Sequence, residues 1–308
     1  MTAIAFLGLG VIGRPMAERL LELGHSLVVW NRTPEKARPL VEQGARQMAS
    51  PREAAESAEI VVTMLTDGAA VLETVERPGG LLEGLSPAKV HCDMSTIDVA
   101  SSRRLAGLYR PRSIGFAHAP VLGNRHAARE GKLLVFAGGP AEAQRRAEPI
   151  FVALGKRTWR WDRAEQATAM KLASNLLLGG MMEIFAETLI FAASAGIDPR
   201  TVLDVIGASA LAAPMYQSKG RMILEGGTPN FYVRNMRKDL DLILASGREL
   251  HAHLPATKAV QAAFAAAEPS RGDRDYSAVV EWLEQQSGVR IDRRAPSSAV
   301  AGAETPRS

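Results

Sequence analysis

A chain of 308 residues, 46% hydrophobic and 23% charged, has the composition of a folded globular protein and is long enough for two domains of about 150 residues. Aromatic residues at 5% argue against a base-stacking platform, and the single cysteine, Cys92, excludes a disulfide scaffold or a cysteine-built zinc site. The net charge is +4, but half of the excess falls in residues 288–308, so no concentrated basic surface for nucleic acid is expected.

Up to about residue 160, short apolar runs alternate with amphipathic stretches. Strands are expected at 4–7, 27–30, 60–64, 90–93, 114–117, 133–137 and 157–159, and helices at 15–23, 34–43, 51–57 and 69–75. Pro15 and Pro34 stand where a first helical turn tolerates proline, and Gly24 and Gly44 stand where helices stop. This alternation argues for βαβ units and a mostly parallel sheet.

After the first strand comes Gly8-Leu9-Gly10-Val11-Ile12-Gly13, a G-x-G-x-x-G pattern in the strand–turn–helix context it requires. Gly8 permits the tight turn, Gly10 lets a pyrophosphate approach the backbone, and Gly13 lets helix and strand close up. The phosphates would rest on the helix N-terminus, alongside Leu9, Val11 and Ile12. The pattern reads as a Rossmann-type dinucleotide-binding domain.

The second strand ends at Asn31-Arg32-Thr33, where an acidic residue would take the ribose 2′-OH of NAD. No carboxylate is present, and Arg32 offers a fork for a 2′-phosphate, so NADP(H) is favoured over NAD(H); the alternative is a solvated surface charge. Met64-Leu65-Thr66, Asp93-Met94-Ser95-Thr96 and His118-Ala119-Pro120-Val121 lie at the C-terminal ends of later strands, the ligand-binding edge of such sheets. Ser95 and Thr96 could bond a nicotinamide ribose or a substrate oxygen, or simply cap the next helix.

From residue 163 almost everything reads as helix, beginning with a run over 165–195 that is apolar nearly all round and therefore expected to be buried on several sides. Asn175, Glu183 and Glu187 within it argue against a membrane span. Lys171 and Asn175 share a face of this helix, and the lysine is either used chemically or snorkels to the surface. Lys238 and Asp239 begin a later helix pattern and could be surface charges, while Pro269 is expected to punctuate the helices. The apolar surface over 176–191 exceeds what one small domain covers, so a homodimer or homotetramer is expected, with Met181, Met182 and Phe185 in packing. The six histidines show no metal spacing. The expected organisation is a dinucleotide-binding domain over 1–162, an all-helical domain over 163–287 and a disordered tail over 288–308. With a strand starting at residue 4 and no apolar leader before it, a cytoplasmic protein is expected.

Taken together, these segments resemble the β-hydroxyacid dehydrogenase family, which includes 3-hydroxyisobutyrate dehydrogenases and semialdehyde reductases. The run from Gly8 to Leu20 looks like its opening signature, and Trp30-Asn31-Arg32-Thr33 is similar to its NADPH-preferring members. Met64-Leu65 and residues 93–96 fall where family members contact the cofactor. Lys171, in Met170-Lys171-Leu172-Ala173-Ser174-Asn175, aligns with the catalytic lysine and the asparagine one turn on; Lys238-Asp239, after Phe231, looks like a second motif whose lysine reaches the nicotinamide.

The resemblance implies reversible hydride transfer between a nicotinamide and a small 3-hydroxy acid or semialdehyde, with Lys171 as general acid and base and Asn175 holding it. Ser95, Leu122, Gly123 and Asn124 would then line the substrate. The substrate loop departs from the family's Asp-Ala-Pro-Val-Ser-Gly-Gly: here it reads His118-Ala119-Pro120-Val121-Leu122-Gly123-Asn124, and Gln166 replaces a usual glycine before the lysine. Leu122 removes a hydroxyl and Asn124 adds an amide, which points to a bulkier or less acidic carbonyl compound. Imine reductases look similar in plan, so C=N reduction is the competing chemistry. A non-catalytic cofactor-binding module is the competing class.

Overall fold

The structure is a computed structural model that describes residues 2–294. It contains two compact units, one comprising Met1–Leu177 with Asp239–Pro255, the other Leu178–Lys238 with Ala256–Ser308.

The first unit is built on a sheet of β1 (Ala3–Leu7), β2 (Ser26–Trp30), β3 (Arg46–Gln47), β4 (Ile60–Thr63), β5 (Val90–Asp93), β6 (Gly115–His118), β7 (Val121–Leu122), β8 (Leu133–Gly138) and β9 (Gly155–Trp161). Its order is β3-β2-β1-β4-β5-β6-β8-β7, with β9 beside β8. β1 to β6 are mutually parallel, β8 runs antiparallel to β6 and β7, and β9 is parallel to β8. Sequence order reverses between β1 and β4, the switch point at whose C-terminal edge such sheets bind ligands.

The strands are nearly continuous apolar runs because both faces are covered. Ile4 and Phe6 pack with Met16, Leu20, Val62 and Cys92 on one face. Ala5 and Leu7 pack with Val28, Val61, Tyr109 and Phe116 on the other. The helices Pro51–Glu56, Gly68–Glu76 and Val99–Tyr109 are started by side-chain caps from Ser50, Asp67 and Asp98. Every expected strand is present within two residues; β3 and β7 were not anticipated, being too short to carry an alternation signal.

The long helix Ala164–Ser194 matches its expected span. Length and composition alone would let it cross a bilayer, yet Lys171, Asn175 and Glu183 along it are buried in protein. It is buried on several sides, as expected, and one apolar stripe stays uncovered. Met170, Leu177, Ile184 and Phe191, each seven residues after the last, are exposed, Phe191 by 81%.

In the second unit, Pro199 and Pro214 open the helices Pro199–Ala208 and Pro214–Glu225, and Pro255, the last residue of the first unit, opens Pro255–Arg271. Pro269 does not end a helix as expected. It sits in the last turn of Pro255–Arg271, where a missing N–H costs one backbone bond rather than the whole helix. Likewise the helix carrying Lys238 and Asp239 starts at Val233, not at the lysine. Lys219 and Asp275 form a buried pair at 2.7 and 2.9 Å, with Lys219 Nζ over the Tyr276 ring at 4.3 Å. Within residues 288–294, where a loose tail was expected to begin, Ile291 is buried and Arg293 grips Glu284 through two hydrogen bonds of 2.8 Å, while Gly288, Arg290, Asp292 and Arg294 are exposed. The remainder of the expected tail lies outside the described residues.

Candidate active site

At the end of β1 the chain turns through Gly8, whose φ of +103° and contact with the Met64 carbonyl leave no room for a side chain. A Cβ at Gly13 would collide with the Gly8 carbonyl, whereas one at Gly10 would meet open space. The helix Gly13–Glu22 that follows has no side-chain cap and no acidic residue in its first turn, unlike the capped helices elsewhere in the sheet. An exposed Gly10 beside an uncapped helix N-terminus fits an anionic pyrophosphate. Leu9, Val11 and Ile12 complete this turn, with Gly10 and Val11 exposed.

Asn31 turns inward and braces the turn: its Oδ1 accepts from the Leu9 N–H at 2.9 Å and its Nδ2 donates to the Thr33 carbonyl at 2.8 Å. Arg32 and Thr33 are exposed beside it. Met64 and Leu65 are half-buried and Thr66 is exposed after β4.

Beyond β5, neither Ser95 nor Thr96 caps the next helix, the alternative role expected for them; Asp98 does, accepting from the Ser101 N–H at 2.8 Å. Ser95 is fully buried; its hydroxyl donates to Asp93 Oδ1 at 2.6 Å and accepts from the Leu65 N–H at 2.8 Å. Its one hydrogen is thus committed inside the chain, and Thr96 remains half-buried at the loop surface.

Leu122 is the last residue of β7, paired with Leu134. Gly123 has a φ of +151°, and a Cβ there would press on Leu133. Asn124 caps the short helix Arg125–Arg129, its Oδ1 accepting from the Ala127 N–H at 3.0 Å.

Lys171, Asn175 and Asp239 come together within the first unit. Lys171 Nζ donates to Asn175 Oδ1 at 3.0 Å, and Asn175 Nδ2 donates to Asp239 Oδ2 at 2.6 Å. All three are buried, the lysine only 7% exposed, so it does not snorkel to the surface. The carboxylate fixes which way the amide faces, and the amide oxygen fixes the ammonium.

Asp239, which sequence reasoning left as a surface charge, is the buried third member of this hydrogen-bonded chain. Its signal was available: Met236, Asp239, Leu240 and Ile243 are buried together at helical spacing, so a carboxylate sits on an apolar stripe. Phe231 and Lys238 belong to the second unit, where Phe231 meets the Tyr276 ring edge-to-face at 5.7 Å and Lys238 is half-buried.

Residues 3–167 match the NAD-binding domain of 6-phosphogluconate dehydrogenase, and residues 166–283 match the NAD-binding model of NADP-dependent 3-hydroxyisobutyrate dehydrogenase. Glyoxylate/succinic semialdehyde reductase 1 of Arabidopsis thaliana is 35% identical over 280 residues, 90% of this chain and 97% of that protein. The Mycobacterium tuberculosis 3-hydroxyisobutyrate dehydrogenase solved with L-serine is 26% identical, with a TM-score of 0.85 over 92% of this chain and 99% of that one. A reductive aminase from Aspergillus terreus, solved with NADPH and ethyl levulinate, is 25% identical, with a TM-score of 0.62 over 92% and 99%. The chain belongs to the β-hydroxyacid dehydrogenase family of NAD(P)-dependent oxidoreductases.

Proposed function

We propose that this chain moves a hydride between NADP(H) and a small 3-hydroxy acid or its semialdehyde, with Lys171 as general acid and base. The observation that carries this reading is the buried chain from Lys171 through Asn175 to Asp239. A bound nicotinamide supplies the hydride chemistry. In reduction, protonated Lys171 gives its proton to the nascent alkoxide; in oxidation, the neutral amine takes the hydroxyl proton. Asn175 and Asp239 hold the amine in one direction, so little reorientation is needed when the proton moves.

The absence of a carboxylate at 31–33 and the exposed Arg32 favour NADP(H) over NAD(H). Leu122, Gly123 and Asn124 shape the substrate side, and the loss of a serine hydroxyl there favours a carbonyl compound less dependent on a carboxylate grip. The Arabidopsis relative's name supplies the first candidates, glyoxylate and succinic semialdehyde. A second copy of the chain is the expected partner, and the cytoplasm the expected compartment.

The decisive assay compares wild type with Lys171→Ala, following NADPH consumption on those aldehydes and NADPH binding by fluorescence. Lost turnover with retained binding supports the assignment; near-normal turnover in the variant overturns it. C=N reduction is kept as a second reading by the apolar Leu122 and the likeness to the reductive aminase. Faster NADPH consumption with preformed imines than with aldehydes would select it.

A further inference from the structure

Under the loops that end β4, β5 and β6 lies a cluster of fully buried polar side chains: Thr63, His91, Asp93, Ser95, Tyr109 and His118. Strand register creates it. Thr63, Asp93 and His118 are cross-strand neighbours on the last rung of three adjacent parallel strands. His91 faces the same side as Asp93, two residues earlier.

The donors all run toward Asp93. Thr63 and Ser95 each donate a hydroxyl to Oδ1 at 2.6 Å, and His118 Nδ1 donates to Oδ2 at 3.0 Å. Because the Thr63 hydrogen is spent on Asp93, Thr63 Oγ1 accepts from His91 Nε2 at 2.8 Å. The remaining His91 nitrogen then accepts from the Tyr109 hydroxyl at 2.8 Å. Burial pushes His91 down to about 4, so it serves as this neutral link. Burial alone would raise the Asp93 carboxyl, but the hydrogen bond and charge of His118, helped by His91 and Ser95, hold it below the usual range.

This is not a nucleophile triad. Serine and histidine both donate to the aspartate, so no base activates the hydroxyl. A buried carboxylate is also a poor way to gain stability, since an apolar replacement of the same shape often does as well. What the cluster does accomplish is connection. Ser95 accepts the Leu65 N–H, and Leu65 and the Met64 carbonyl press directly on Gly8. His118 Nε2 is buried without a hydrogen-bond partner among the described residues, so its bond to Asp93 is the side chain's whole polar engagement.

We propose that His118 is a positioning residue: through Asp93 and Ser95 it sets Met64 and Leu65 against the glycine turn, tying the loop after β6 to the dinucleotide seat. The proposal rests on the dinucleotide-binding reading above.

Its test uses the full chain and three variants, His118→Leu, His118→Asn and Ser95→Ala. Hydrogen exchange at the Leu65 amide is measured without cofactor, and NADPH affinity separately. His118→Leu is expected to quicken Leu65 exchange and weaken NADPH binding by about tenfold, the effect of one charged hydrogen bond. His118→Asn, whose amide can donate to Asp93, is expected to restore both to within about threefold. A His118→Leu protein with a lower Tm but unchanged Leu65 exchange and NADPH affinity would reduce the residue to core packing and overturn the proposal. If His118→Leu does not fold, Ser95→Ala cuts the same link with less lost volume, and unchanged Leu65 exchange there overturns it equally. Wild-type protein that binds no dinucleotide would instead sink the functional reading, while the cofactor-free exchange comparison still decides whether the His118–Leu65 link exists.

Discussion

Lys171 is held by an amide that is itself held by a carboxylate, and each link has its own consequence. Lys171→Ala removes the proposed proton donor and is expected to lower kcat by about 10²–10⁴-fold, the usual range for a general acid–base, with NADPH affinity within about threefold of wild type. Lys171→Arg keeps the charge but cannot deprotonate near neutrality, so oxidation of a hydroxy acid is expected to fail as severely as in the alanine variant. Asp239→Asn leaves the lysine in place but lets the Asn175 amide turn; a loss of about tenfold or more in kcat/KM, carried by kcat, is expected. Steady-state kinetics in both directions check all three. At the cofactor end, Arg32→Ser removes a fork from an exposed position whose neighbour Asn31 is already engaged with the turn. The KM for NADPH is expected to rise by about 10–100-fold while that for NADH stays within about twofold. Equal changes for both cofactors would show that Arg32 does not read the 2′-phosphate.

At the scale of elements, the sheet was readable because buried parallel strands are apolar runs and their helices are bounded by proline and glycine. The glycine turn was readable because its residue types follow from backbone geometry at Gly8 and Gly13. What escaped depends on register or packing across long sequence separations. The tie from Ser95 to Leu65 spans 30 residues and exists only because β4 and β5 align Thr63 with Asp93. Ile291 looked like part of a loose tail because composition does not reveal that it is buried and that its N–H donates to Glu284 Oε1 at 2.7 Å. The surplus apolar surface of the long helix was legible, since its apolar residues outnumber the protein surfaces that cover them; which residues stay uncovered was not. Met170, Leu177, Ile184 and Phe191 repeat every seven residues, the spacing of a helix seam, which suits a second copy of the same helix. Replacing Leu177 and Ile184 together by glutamate is expected to turn a dimeric or larger species into monomers, read by light scattering on a sizing column. A variant that keeps the wild-type mass would place any subunit contact elsewhere.

Across the whole molecule, buried carboxylates of opposite character shape stability against pH. Asp93 is held below the usual range by His118 despite its burial, and Asp275 by Lys219 and Ser277 despite its own. Their contributions are present above the unfolded carboxylate range and are lost as pH falls through their depressed folded values. Glu183 does the reverse. Burial, with the charge of Glu187 added, pushes it from 4.5 up to about 7, and its Oε2 has no hydrogen-bond partner among the described residues. The folded state therefore binds the Glu183 proton more tightly than the unfolded state. Stability is eroded as pH rises from about 4.5 to about 7, by about 3 kcal/mol at most once both states are ionised. Glu183→Gln keeps the shape and removes the titration. It is expected to match wild type near the lower end of that window and to exceed it by several degrees in Tm above the upper end, as thermal unfolding across the pH range would show. Unfolding curves that stay parallel for the two proteins across that range would mean that Glu183 ionises without cost, its charge already met by a partner that the isolated chain does not provide.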